Sequence, residues 1–145
     1  MHKQIYASGF LYHPPTNQIL LQSSILLPQP QPWSLFEGMG TIIEPAEIIF
    51  QKALTDILNL TVNMKDIFPI YTYENDAQRK QYALSYAIVA NVSPFSPHNG
   101  MTFSWFSERQ ICKLSMNEQT KHDIIVGQRV ISATERKRLG QHYFE

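Results

Sequence analysis

The residues of this 145-residue chain that could do chemistry are few and unevenly placed. Glu44 and Glu47 flank Pro45 where a helix is expected to begin, and carboxylates there are favoured by the free amides and the helix dipole, which is a sufficient structural reason for them. Further along the same helix stand Lys52, Thr55, Asp56 and Asn59, with Lys52 four residues before Asp56 and so placed to pair with it. Glu74, Asp76, Glu118 and Asp123 fall in or near loops and helix starts, where an acid could serve as ligand or base and where surface solvation is its ordinary role. Five histidines, His2, His13, His98, His122 and His142, lack chelate spacing and read as ordinary polar residues rather than zinc ligands. The lone Cys112 has no disulfide partner and reads as a buried or half-buried structural thiol. Tyr6, Tyr71, Tyr73, Tyr82 and Tyr86, with Phe10, Phe68 and Trp33, suit a core or a sheet face, from which one or two could stack on a base.

The elements that must position these residues follow from periodicity. Lys3 to Tyr12 and Gln18 to Leu27 are β-branched, aromatic or alternating, with turn formers Pro14 to Asn17 between them, which predicts a hairpin. Pro28 to Pro32 is expected to be an extended, exposed loop leading into a short strand at Trp33 to Phe36. After a glycine turn at Gly38-Met-Gly40 comes a brief β-like Thr41 to Ile43 and then the helix. Its apolar residues Ile49, Phe50, Ala53, Leu54, Ile57 and Leu58 recur every three or four positions and face a core. Strands are predicted at Ile67 to Tyr73, Gln81 to Val92 and Met101 to Phe106, the second with the continuous apolar middle of an inner position. A short helix from Glu108 to Leu114 and a long one from Asn117 to about Gly140 close the chain, with no internal repeat and no linker.

Composition bounds what these elements can serve. An apolar fraction of 43% with 12% aromatic residues is that of a packed globular protein, and the length is that of one domain, taken as residues 1–145. Twelve basic residues balance twelve acidic ones, so no global field attracts a nucleic-acid backbone or an anionic membrane. The apolar runs are too short to span a bilayer, and the amino end lacks the pattern of an export signal, so a cytoplasmic location is expected.

The order of strand, glycines, acid-rich helix, strands and terminal helix resembles the Nudix superfamily. That family's box is G-x5-E-x7-R-E-U-x-E-E-x-G-U, with U a bulky aliphatic residue, and it usually follows Trp-x-Leu-Pro-Gly-Gly. Here Trp33-Ser-Leu35 precedes Gly38-Met-Gly40, and Glu44-Pro-Ala-Glu47 looks like the common Glu-Pro-Gly-Glu segment. With Glu47 set on the first box glutamate, Thr55 and Asp56 fall on the Arg-Glu pair, Asn59 and Leu60 on the paired glutamates and Val62 on the glycine. Measured from Gly40, that spacing is one residue too long. Trp105-Phe106, Glu108 to Leu114 and the terminal helix are similar to the end of many bacterial Nudix chains, so the likeness spans nearly the full length.

The resemblance implies an α/β (α+β) Nudix fold, a mixed β-sheet sandwiched between helices. It implies pyrophosphohydrolase-like chemistry on a nucleoside diphosphate linked to another group, with Glu47 and Asp56 as catalytic candidates and the amides of Gly38 and Gly40 near a phosphate. Asp56 and Asn59 become the candidate ligands of Mg²⁺ or Mn²⁺. Such ions need several hard oxygen ligands in near-octahedral array. In this register the helix offers one carboxylate, one amide and an aliphatic side chain, so hydrolysis is expected to be weak or lost and the metal dispensable. The alternatives are a non-catalytic domain that binds a nucleotide or nucleotide sugar, or a module that meets a protein partner, including a second copy in a homodimer.

Overall fold

The computed structural model describes residues 3–26, 31–41 and 43–144, the last six in backbone only. Leu27 and most of the expected proline loop, Pro28 to Pro30, lie outside the described residues. Seven strands form one mixed sheet: β1 (Gln4–His13), β2 (Gln18–Ser24), β3 (Trp33–Ser34), β4 (Phe36–Thr41), β5 (Ile67–Asn75), β6 (Lys80–Ile88) and β7 (Met101–Ser107). Helices α1 (Ala46–Leu58), α2 (Glu108–Ile111) and α3 (Glu118–Phe144) complete the described elements, with a 3-10 turn at Met64–Asp66.

β1 is the spine. Its first half pairs antiparallel with β4 from Gln4↔Thr41 to Gly9↔Phe36, its second half with β2, and its whole length lies parallel to β6. β7 runs antiparallel along β2, and β5 closes the other side against β6. β6 is therefore an inner strand, as its apolar middle suggested.

Two tight turns set the hairpin registers. Asn17 takes a left-handed conformation (φ 55°), its amide donates to the Pro14 carbonyl at 3.2 Å, and the Tyr12 hydroxyl donates to its side-chain oxygen at 3.2 Å. Arg79 plays the same backbone role (φ 53°) between β5 and β6, although left-handed geometry is unfavourable for a side chain of its size. His13 is no ordinary surface residue: it is 7% exposed, with Nδ1 2.7 Å from the Thr16 hydroxyl and Nε2 3.1 Å from the Ala90 carbonyl, which ties the first turn to the end of β6.

Alternation along the strands divides the core into two layers. Ile5, Ala7 and Leu11 of β1 face α1 and pack with Phe36, Phe50 and Leu54, while Phe10 and Tyr12 face α3 and pack with Tyr86, Ile124 and Ile131. Each fully buried aromatic or aliphatic side chain stabilises the fold by roughly 1.5–3 kcal/mol. α3 begins where Asn117 accepts a hydrogen bond from the Thr120 amide at 2.8 Å, and it seats on the sheet at Gly127, where a Cβ would lie 2.9 Å from Phe10 and 3.0 Å from Ile70. A bulge between Pro69 and Tyr71 interrupts the β5 register at Ile70.

Candidate functional site

The glycines do not form a turn. Gly38 and Gly40 lie within β4, paired with Ala7 and Ile5, and among the described glycines only Gly100 has a positive φ. Their value is space: a Cβ on Gly38 would stand 3.0 Å from the Ala53 Cβ and 3.1 Å from the Ile49 carbonyl, and one on Gly40 would stand 2.6 Å from Ile49 Cδ1. Bare backbone is what lets α1 lie this close to the strand.

α1 starts after Pro45 and carries Glu47 in its first turn. Asp56 lies in its last turn, nine residues on, which is roughly 13 Å along the axis at 1.5 Å per residue. The two catalytic candidates are thus set at opposite ends of the helix. Lys52 does not pair with Asp56; its ammonium lies 2.6 Å from Glu44, on the turn before the helix, and Asp56 has no hydrogen bond or ion pair among the described residues. The Lys52–Glu44 pair is well exposed and is worth no more than about 1 kcal/mol.

Asn59 is not on the helix. It is the left-handed residue that ends it (φ 53°), its amide donating to the Thr55 carbonyl at 2.9 Å, while the Thr55 hydroxyl spans from the Gln51 carbonyl to that of Leu60. Asp56 and Asn59 do share a cleft of about 520 Å³, bordered by Phe95, Pro97 and His98, and Gly38 and Gly40 take no part in it. Among the described residues, no three His, Cys, Asp or Glu side chains gather as a metal site would require.

The other face of the sheet is built differently. Four tyrosines from three strands form one row: Tyr6 stacks on Tyr82 with centroids 5.3 Å apart, Tyr82 on Tyr73 at 4.8 Å, and Tyr73 on Tyr71 at 5.7 Å. Lys80 holds its ammonium 5.3 Å from the Tyr6 centroid, a cation–π contact. At the far end the Tyr71 hydroxyl donates to Asp123 Oδ1, which also accepts from the Gln119 side chain at 2.9 Å. Both bonds fall on Oδ1, and Oδ2 stays in contact with solvent.

Burial, reinforced by the bond to Asp123, pushes the Tyr71 hydroxyl far above the usual phenol range. Burial also raises Tyr73, with the charges of Asp123 and Glu37 adding to it, so Tyr71 and Tyr73 stay neutral. Glu37, though exposed, is desolvated enough by its neighbours to lie above the usual carboxylate value. Asp123 itself is 8% exposed, which corrects its reading as a surface acid. A carboxylate five residues into a helix gave no local signal of this; its acceptor role depends on a tyrosine from β5 that only the folded register brings to it. Cys112 is corrected in the opposite sense, since it is exposed, one residue beyond a four-residue helix that buries only Ile111.

This architecture has known counterparts. It is similar to a MutT/Nudix family protein from Listeria innocua, 16% identical, covering 96% of this chain and 99% of that one with a TM-score of 0.66. It is similar to the Nudix hydrolase RenU of M. smegmatis, 17% identical, covering 92% and 86% with a TM-score of 0.64. A third counterpart is the Nudix domain of Shewanella oneidensis NrtR, complexed with ADP ribose, 13% identical, covering 88% and 86% with a TM-score of 0.63. The chain has the Nudix fold, as its sequence suggested. No family model matches the sequence, and no curated protein matches it. Among the described residues no helix is long and apolar enough to cross a membrane.

Proposed function

We propose that this Nudix-fold chain binds a nucleoside-diphosphate-type ligand on its tyrosine face and does not cleave it by magnesium-dependent hydrolysis. The observation that carries the reading is the end of α1. A left-handed helix terminus selects Gly first and Asn next, so Asn59 is the natural occupant of the glycine that closes the box. In that register every spacing is kept: Gly38 leads, Glu44 is the first glutamate, Lys52 replaces the arginine, and Leu54 and Leu60 fill the aliphatic positions.

The three remaining glutamate positions then hold Ala53, Asp56 and Ile57. Ala53 is buried against β4, where its Cβ would meet one on Gly38, and Ile57 packs on the core. Glu44 is occupied by Lys52. One exposed carboxylate is left, too few oxygens for Mg²⁺ or Mn²⁺.

Binding is supported by the opposite face. A base stacked on a tyrosine gains about 1–3 kcal/mol, Lys80 lies at the Tyr6 end of the row for phosphate charge while Lys3 is held by Glu74 at 2.9 Å, and Asp123 Oδ2 is free to accept from a ligand N–H or hydroxyl. ADP ribose, the ligand of the NrtR counterpart, has this chemistry.

The test combines two measurements on the full chain. ADP ribose in the presence of EDTA is expected to raise the melting temperature, since a ligand that binds only the folded state must stabilise it. Nucleoside triphosphates, dinucleoside polyphosphates and nucleotide sugars with Mg²⁺ or Mn²⁺ are expected to release no phosphate above buffer. Metal-dependent turnover that disappears in Asp56→Ala would overturn the proposal.

A further inference from the structure

A second cleft lies on the α3 layer and shares no lining residue with the tyrosine row. The stripe of α3 that meets the sheet is Ile124, Gly127 and Ile131. The stripe beside it runs Lys121, Ile125, Arg129, Ser132 and Arg136, at spacings of three and four that put these residues on one side of the helix. Facing it are Ile19 of β2 and Ile111 of α2, and the space between is about 910 Å³, the size of a small-molecule site.

The lining is amphipathic. Ile125 is 48% exposed at the middle of the stripe, an apolar side chain between cations. The side chains of Lys121, Arg129 and Arg136 have no hydrogen bond or ion pair among the described residues. Two acids also line the cleft. Glu135 pairs with Arg138 at 2.8 Å and Glu108 sits in the first turn of α2, so two acids stand against the three cations Lys121, Arg129 and Arg136. The uncompensated charge in the cleft is therefore positive.

We infer that this cleft binds an amphipathic organic anion, its apolar body against Ile125 with the buried Ile19 and Ile111 behind it, and its acidic head at Arg129 with Lys121 or Arg136. A guanidinium grips a carboxylate or phosphate through two parallel hydrogen bonds, and unpartnered arginines bordering an apolar floor are matched to that pairing. Head groups of either kind share the chemistry.

The probe is anilinonaphthalene sulfonate, titrated by fluorescence against the full chain. One molecule is expected to bind per chain, to be displaced by decanoate, by decyl phosphate or by both, and to be left in place by decyltrimethylammonium. Whichever displaces at lower concentration identifies the preferred head. Arg129→Glu with Arg136→Glu, both on exposed positions, is expected to weaken binding roughly tenfold or more, with far-ultraviolet circular dichroism unchanged. Cys112 borders the cleft and is exposed, so its alkylation by N-ethylmaleimide is expected to slow when decanoate is bound. Displacement by the cationic amphiphile as readily as by the anions, unaltered affinity in the double variant, or an alkylation rate indifferent to decanoate would each overturn the inference.

Discussion

The two faces of the sheet solve opposite problems. Under α1 the space is filled: glycines in β4 admit Ile49 and Ala53, Ile57 turns to the core, and the one acid left in the last turn, Asp56, points to water without a partner. On the other face polar groups are kept and organised, with stacked phenols, a buried carboxylate and a lysine over a ring. Where a side chain is spent on packing it cannot also hold an ion, and where polar groups stay buried they must be held by one another. The contrast is the reason the proposed ligand site is put on the tyrosine face rather than at α1.

The comparison can be broken most easily by crowding the packed side. Gly38→Val is expected to cost about 3 kcal/mol in chemical denaturation, with ADP ribose affinity of the folded fraction unchanged; the reverse pattern, intact stability with lost affinity, would return this glycine to the ligand. On the polar side, Tyr71→Phe removes one of two donors to a buried carboxylate and is expected to cost about 2 kcal/mol, together with weaker ADP ribose binding. Asp56→Ala is expected to alter stability by less than about 0.5 kcal/mol, the mark of an exposed, unpaired acid. A large loss there would mean that this end of the helix is structured around its charge.

The smallest effect is a pH dependence at Glu37. Its folded pKa is raised, so below the unfolded value both states are protonated and the residue contributes nothing. As pH rises through the folded pKa, the charged carboxylate costs the folded state. Glu37→Gln should therefore melt slightly higher than the parent at neutral pH and no higher near pH 3, below the ordinary range of about 4.3 for this side chain. A difference that persisted in acid would point to a packing effect instead.

Much of the architecture was legible because period and turn chemistry are local. Pro14 to Asn17 marked a turn, the three-and-four spacing from Ile49 to Leu58 marked a buried helix stripe, and the unbroken apolar middle of β6 marked an inner strand. The box register was not local in that sense. Anchoring it on Glu47 puts it three residues from the register proposed above, which rests on a backbone angle at Asn59 that composition does not display. Asn followed by Leu60 at the end of an apolar stripe was the available signal. Lys52 was assigned to Asp56 on helical spacing, and the turn before the helix offered Glu44 at closer range. The tyrosines were singled out one by one; that four of them form a single row follows from the parallel register Tyr6↔Tyr82 and the antiparallel register Tyr73↔Tyr82, which no local pattern encodes.

The parallel pairing of β1 with β6, the one such pairing among the described residues, also governs how the chain can assemble. β1 is synthesised well before its parallel partner, so Ile5 must wait for Gln81 before that edge is satisfied, with β2, β3, β4, α1 and β5 made in between. Contacts this distant in sequence slow folding and leave a strand edge open to strangers. During synthesis β1 is thus an edge in need of shielding until β6 arrives to cover it.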